Sequence, residues 1–289
     1  MIKVADGWKD YSVVATGDGY KLERWKDVVL LRPDPQVIWK AQTDLFAYPK
    51  INAVYHRSEK GGGGWEYKKP MPQEWNVSYR DLTFKVKPMG FKHTGLFPEQ
   101  AVNWDTTASL IKKRREKGRD TKVLNLFAYT GGATVSCAKA GAEVVHVDAA
   151  KGMVERAGEN ARLSGINSGI RYIVDDCIKF VKREIRRGNK YDAIIMDPPS
   201  YGRGPGGELW KIESELYPFV ELCTEVLSDD PLFVLINSYT TGLQPAVLNN
   251  ILKLCLGGRS GTYDAYEVGL PTEEGICLPC GAGGIYINE

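Results

Sequence analysis

No stretch of the 289-residue sequence approaches the ~20 consecutive apolar residues that span a bilayer. The N-terminal run MIKVADGWKDYSVV lacks a basic segment followed by an apolar one, so no secretory signal is expected and the expected location is cytoplasmic. Histidine is scarce: only His56, His93 and His146 occur, far apart. The six cysteines (Cys137, Cys177, Cys223, Cys255, Cys277, Cys280) are too few and too scattered for a disulfide framework. Only Cys277 and Cys280 form a C-x-x-C pair, and a zinc knuckle would need a second pair or nearby histidines. A turn or core role is expected for that pair, and no metal site. Neither G-x-G-x-x-G nor G-x-x-x-x-G-K-[ST] is present where a phosphate-binding turn would need it, which removes both pyrophosphate fingerprints.

What remains is an ordinary folded composition. Hydrophobic residues at 43% and charged residues at 26% argue against long disorder or fibre. At ~150 residues per domain, the length points to about two domains. The net charge of +2 hides an asymmetry. Residues 1–120 carry 22 Lys/Arg against 15 Asp/Glu, or +7, whereas residues 121–289 carry 16 against 21, or −5. Six of the seven tryptophans (Trp8, Trp25, Trp39, Trp65, Trp75, Trp104) lie in the basic segment. Basic groups interleaved with aromatics can track phosphates and stack bases. They equally describe a small β domain with a tryptophan-rich core and lysines in water.

The first 90 residues give short β-like runs, YSVVA, VVLLRPDP, AVYHR and LTFKV, separated by turn signals. GGGG at 61–64 is expected to be a mobile loop. Residues 98–117 switch to a helical period that ends near Gly118. The late cluster Lys112, Lys113, Arg114, Arg115 and Lys117 complements the helix dipole and could also touch phosphates. From residue 121, short apolar strands alternate with helices of ten or more residues, the pattern of a mostly parallel sheet covered on both faces. YDAYEVGLPT and ICLPCGAGGIYIN, with no helix between, predict a terminal antiparallel pair. The expected division is a β-rich domain over 1–90, a connecting helical segment over 91–120 and an α/β domain over 121–289.

Ligands of open α/β sheets bind beyond the carboxyl ends of the strands. The first such strand ends in Asn125-Leu126-Phe127-Ala128-Tyr129-Thr130-Gly131-Gly132, where two glycines permit a tight turn and the next helix offers unpaired N–H groups. The second ends at Asp148-Ala149, a carboxylate suited to ribose hydroxyls or to capping a helix. The third ends in Asp175-Asp176-Cys177, where one acid can accept from an adenine amino group and the other cap the following helix. Together these point to an adenosine cofactor without a pyrophosphate. The fourth ends in Asp197-Pro198-Pro199-Ser200-Tyr201: two prolines pre-set a rigid extended loop whose carbonyls can receive a planar amino group, with Tyr201 able to stack on the same ring.

These segments resemble the class I S-adenosylmethionine-dependent methyltransferases, in particular the group of large-subunit ribosomal RNA enzymes that make 5-methylcytosine and 7-methylguanine. LNLFAYTGGATVSCAKAGA (124–142) resembles that group's glycine turn, VVHVDAAKGMVERAGENARLSG (144–165) its ribose segment and DDCIKFV (175–181) its adenine-side loop. HTGLFPEQAVNW (93–104) is similar to its K-T-G-F-F-x-D-Q-R-x-N-R stretch, with His93, Leu96, Glu99, Ala101 and Trp104 as departures. The resemblance implies a Rossmann-like class I methyltransferase sheet with a small N-terminal β-rich domain. It implies that Phe127, Tyr129, Thr130, Gly131 and Gly132 line the cofactor pocket and that Asp148, with Ala149, binds the ribose. It further implies that Asp176 and the Cys177 backbone hold adenine, and that Asp197 meets the methionine end, assisted by Phe97 and Gln100. Asp197, Pro198 and Tyr201 would orient the acceptor. The implied partner is structured RNA, ribosomal above all, with no membrane involvement. No beginning of the PUA module carried by several relatives is recognisable.

One departure bears on the reaction. Cytosine C5 is a poor nucleophile, and the cytosine-C5 enzymes attack C6 with a thiolate from a Ser-Cys-Ser-like turn after the fifth strand. Here that point reads Asn237-Ser238-Tyr239-Thr240, and no cysteine occurs from 224 to 254. Transfer to a base nitrogen is therefore expected ahead of cytosine-C5 methylation, ahead of a small-molecule or protein acceptor, and ahead of a noncatalytic binding role.

Overall fold

A computed structural model of the chain describes residues 1–58, 62–203 and 209–288. Contacts divide the chain into two compact units. One holds Val4–Ala101 with Gly269–Cys280, the other Met1–Lys3, Val102–Val268 and Gly281–Glu289. The boundary near 101 falls inside the expected connecting segment, so the long helix belongs with the α/β unit. The return of 269–280 to the N-terminal unit differs from the expected division.

The chain opens with β1 (Ile2–Val4). The N-terminal unit then forms β2 (Tyr11–Gly17), β3 (Tyr20–Trp25), β4 (Val28–Pro33), β5 (Ala53–Arg57) and β6 (Gly63–Tyr67), one sheet in that order. β7 (Trp75–Tyr79) and β8 (Leu82–Val86) make a separate hairpin. Leu22, Val29, Leu31, Leu45, Ile51 and Val54 pack as one apolar cluster of this unit. The expected loop at 61–64 is corrected in part. Gly63 and Gly64 pair with Arg57 and His56 in β6, while Gly61 lies outside the described residues. A Cβ at Gly63 would meet the His56 carbonyl at 2.1 Å, so glycine serves close strand approach there.

The indole N–H groups of four half-buried tryptophans are engaged within this unit. Trp8 donates to the Pro98 carbonyl, Trp39 to Thr16 Oγ1, Trp65 to the Met89 carbonyl and Trp75 to the Trp25 carbonyl. Trp25 is fully buried. Beside it, buried Glu23 accepts from Arg32 Nε (2.6 Å), Arg32 Nη2 (2.8 Å) and Tyr11 Oη (2.6 Å). Burial alone would raise the Glu23 carboxyl, but the Arg32 and Lys21 charges overcome it and hold it at about 2.

The α/β unit starts with α1 (Ala101–Glu116) and continues β9 (Lys122–Leu126), α2 (Gly132–Lys139), β10 (Glu143–Asp148), α3 (Lys151–Leu163), β11 (Ile170–Val174), α4 (Cys177–Arg187) and β12 (Ala193–Met196). A short hairpin, β13 (Tyr201–Arg203) and β14 (Leu209–Lys211), leads into α5 (Ile212–Thr224), β15 (Phe233–Ser238), α6 (Pro245–Leu256), β16 (Thr262–Pro271) and β17 (Cys277–Ile287). The eight-stranded sheet runs β1-β16-β17-β15-β12-β9-β10-β11. β11, β10, β9, β12 and β15 are parallel, and β17 joins β15 antiparallel. The expected α/β Rossmann-like sheet with a small β-rich partner is the fold observed.

Strand alternation assigns the two faces. Leu124, Leu126, Val145, Val147, Ile194 and Met196 join Phe180 of α4, Phe219 of α5 and Leu248 of α6 in the main core. On the other face α1 docks through Asn103, which donates to Asn237 Oδ1 and accepts from Tyr266 Oη. Arg114, placed by its sequence in a basic cluster, is buried and donates twice to the Asp230 carbonyl, whereas Lys112, Lys113 and Lys117 remain exposed. Among the described residues no helix is long and apolar enough to cross a membrane.

Candidate cofactor and acceptor site

Successive strands run from β9 outward in opposite directions, to β10 and β11 on one side and to β12 and β15 on the other. The carboxyl ends of β9 and β12 therefore flank the point where strand order reverses, the place where such sheets hold ligands. The backbone there is unusual. Phe127 (φ 54°), Tyr129 (φ 49°) and Gly131 (φ 84°) alternate through the left-handed region within five residues. Two of the three are not glycine, and such strain persists only where the surroundings over-determine it.

Those surroundings can be named. The Phe127 N–H donates to Cys177 Sγ (3.3 Å), and its ring packs against Trp210 (5.1 Å) and Phe219 (5.6 Å). The Tyr129 N–H donates to Asp148 Oδ2 (2.8 Å). The Thr130 carbonyl accepts from buried Asn160 of α3 (2.9 Å), an amide on the packed face of that helix. Gly131 has α3 against it, for an added Cβ would lie 2.8 Å from Ala157 Cβ. At Gly132 an added Cβ would lie 2.6 Å from the Trp104 ring. Beneath the turn, Asn125 Nδ2 donates to Thr134 Oγ1 (2.8 Å), which also contacts His146 Nδ1 (2.9 Å). Burial pushes His146 down to about 4, so it is neutral at pH 7.

Asp148 is half-buried. Its Oδ1 accepts from the Ala150 N–H (2.8 Å), so the carboxylate spans the glycine turn and the start of α3. Burial raises its pKa, against the lowering effect of the Ala150 and Tyr129 N–H groups. Ala149 beside it is exposed. Of the acid pair after β11, Asp176 is the helix cap: its Oδ1 accepts from the Lys179 N–H (2.9 Å). Asp175 pairs with Arg183 and accepts from the Asp176 N–H. Cys177 is buried, and burial raises its thiol well above the ordinary range.

After β12, the Asp197 N–H reaches the Leu126 carbonyl (3.4 Å), which sets this loop beside the glycine turn. Pro198 is buried and Pro199 exposed. The Pro199 carbonyl accepts from Trp210 Nε1 (2.6 Å), the Ser200 carbonyl from the Ile212 N–H (3.1 Å), and Ser200 Oγ meets Thr240 Oγ1 (2.6 Å). Tyr201, paired with Lys211 across the hairpin, is 55% exposed, so its ring presents an open face. Phe97 and Gln100 belong to the other unit, around the turn Pro98–Gln100, where the Gln100 N–H donates to the Phe97 carbonyl. Sequence reasoning missed Trp210 and Asn160. A polar residue on the apolar face of a helix was the available signal for Asn160; none marked Trp210, whose contacts come from distant segments.

The family model for S-adenosylmethionine-dependent methyltransferases matches residues 51–209. A solved structure described as the SAM-dependent methyltransferase from Agrobacterium tumefaciens superposes with a TM-score of 0.93 at 31% identity, covering 100% of this chain and 94% of that one. The chain belongs to the S-adenosylmethionine-dependent methyltransferases. It is also 34% identical over 110 residues to ribosomal RNA large subunit methyltransferase I of Aeromonas hydrophila, covering 37% of this chain and 26% of that protein. It is 35% identical over 136 residues to ribosomal RNA large subunit methyltransferase K/L of Shewanella frigidimarina, covering 46% of this chain and 18% of that one. The chain thus spans about a quarter or less of these two curated relatives.

The donor set of this methyltransferase suits the family's cofactor. Gly131 and Gly132 let the turn pack against Ala157 and the Trp104 ring, which a side chain at either position would strike. The N-terminus of α2 behind them offers N–H groups, and the half-buried Asp148 carboxylate stands at the adjacent strand end.

Proposed function

We propose that this methyltransferase acts directly on a base nitrogen of structured RNA, with ribosomal RNA as the acceptor. The observation that carries this reading is the Asp197-Pro198-Pro199-Ser200-Tyr201 loop, pinned at Asp197, Pro199 and Ser200 beside the glycine turn. The names of the ribosomal RNA relatives and the +7 balance of residues 1–120 support the choice of acceptor.

S-adenosylmethionine, when bound, supplies a sulfonium-activated methyl group. Asp148, whose two oxygens each accept one backbone N–H, would use its remaining lone pairs for the ribose hydroxyls, and the Thr130–Gly132 backbone would hold the methionyl end with Asp197. One Asp176 oxygen is spent on capping α4, so its role toward adenine rests on the other, together with the Cys177 backbone. Trp210 occupies the Pro199 carbonyl, so the prolyl carbonyl assigned to the acceptor's amino group is that of Pro198. Positioning then does the catalytic work: the loop holds the acceptor lone pair in line, and Tyr201 holds the face of a base that has left its stack.

Burial raises the thiols of Cys177, Cys223 and Cys280, that of Cys255 to about 11 and that of Cys137 to about 12, which disfavours a thiolate at these five. Asn237 and Ser238, at the end of β15, are buried and hydrogen-bonded. The test is labelled methyl transfer to RNA from cells lacking this protein, intact or digested beforehand, with mass spectrometry of the product and trapping on 5-fluorocytosine RNA. The expected result is a methyl on nitrogen, in intact RNA only, with no covalent adduct. Incorporation that survives complete digestion removes RNA as acceptor. A trapped adduct lost in Cys223→Ala or Cys280→Ala restores cytosine-C5 chemistry.

A further inference from the structure

Two prolines in succession deprive the acceptor loop of two backbone donors, so carbonyls take a larger share in fixing it. The carbonyl of Pro199 is held by Trp210 Nε1 at 2.6 Å. An indole has one donor and no acceptor, so this bond fixes which way the carbonyl faces. The same ring is 7% exposed and packs at 5.1 Å from the ring of Phe127, the first left-handed residue of the glycine turn. Phe219 of α5 backs both rings, at 5.6 Å from Phe127 and 5.7 Å from Trp210. Trp210 itself sits opposite Gly202 in the hairpin that follows the loop, and the Ile212 N–H two residues on closes that hairpin onto Ser200. The loop and the turn therefore share one side chain: its polar edge serves one and its apolar face the other.

We propose that Trp210 is a positioning residue that couples the cofactor turn to the acceptor loop, so that a ligand on the turn is felt at Pro199. The inference rests on the reading of the Asp197–Tyr201 loop as the acceptor site. Its two functions separate by chemistry. Trp210→Phe keeps an aromatic face against Phe127 but loses the N–H and part of the ring, whereas Trp210→Leu loses the aromatic face as well.

The probe is S-adenosylhomocysteine, added to the full chain carrying ¹⁵N-tryptophan. The indole N–H resonance of Trp210, assigned in the unsubstituted chain, is expected to shift on saturation, while those of Trp39 and Trp75 stay in place. In Trp210→Phe, affinity for the same probe is expected to stay within about twofold while methyl transfer at saturating cofactor falls about tenfold, the loss of one positioning hydrogen bond. Trp210→Leu is expected to lose affinity as well. An unmoved Trp210 resonance at saturation overturns the coupling. So does a Trp210→Phe chain that keeps its full rate, or one whose rate and affinity fall together with its unfolding temperature, the mark of a structural role alone. The resonance measurement uses no acceptor. If RNA proves not to be the substrate, it still decides the coupling, and a chain that binds no S-adenosylhomocysteine overturns both readings.

Discussion

Replacing Gly131 by alanine tests whether the glycine turn is built against α3 or merely tolerates glycine. At φ 84°, an L-residue costs ~1–2 kcal/mol from backbone sterics alone. The new methyl would sit 2.8 Å from Ala157 Cβ and 3.3 Å from Ala157 Cα, atoms on a helix with no freedom to swing aside. Overpacking of this kind adds ~1–3 kcal/mol. The lower entropy of unfolded alanine returns ~0.4–1 kcal/mol. The net expectation is a loss of about 1–4.5 kcal/mol, from these terms together. Gly188→Ala is the control: φ is 67° and nothing lies within 4 Å of the added methyl, so the backbone term stands alone at about 1 kcal/mol. Urea unfolding of both variants, with slopes compared, gives the difference. If Gly131→Ala is no more costly than Gly188→Ala, the turn does not press on α3.

Acid should weaken the α/β unit through His146. Its folded pKa of about 4 lies below the ordinary 6.5, so the unfolded chain takes up a proton that the folded chain refuses. Stability therefore falls as pH drops from 6.5 towards 4, by up to about 3 kcal/mol at ~1.4 kcal/mol per pH unit. Urea unfolding at pH 7.5, 6 and 5 should show this slope, and His146→Gln should reduce it to the part due to His93, which burial also holds at about 4; an unchanged slope would contradict the buried neutral assignment. In the N-terminal unit, Glu23→Ala leaves Arg32 without its buried counter-ion, while Lys21 keeps Asp34 at 3.1 Å, and should cost ~3–5 kcal/mol. A loss below ~1 kcal/mol would mean that water reaches the pair.

The α/β half was legible because its signals are local. Apolar runs such as VLNL and AIIM are buried on both faces, and each ends in a residue of a different kind, which is what placed Asp148 and Asp197 at strand ends. The capping role of Asp176 was one of two open assignments for that acid pair, since either acid precedes the helix and only the bond to Lys179 chooses between them. The N-terminal half was less legible. Its tryptophans and lysines have the same composition whether they stack on bases or on one another, and the indole bonds to Pro98, Met89 and Trp25 span 24 to 90 residues. The return of 269–280 rests on Ser12 with Glu273 and Thr16 with Glu274, pairings 261 and 258 residues apart. No periodicity in either segment announces them.

The proposed cofactor site places the adenosyl group at the carboxyl ends of β9 and β10, with Asp148 on the ribose. Calorimetry of S-adenosylhomocysteine with the parent chain and with Asp148→Ala measures this directly. The parent is expected to bind, and Asp148→Ala to bind more weakly by ~1.5–3 kcal/mol, the worth of a hydrogen bond to a charged group. Equal affinity in the two chains would remove Asp148 from the ribose. NAD binding with no S-adenosylhomocysteine binding would contradict the cofactor itself.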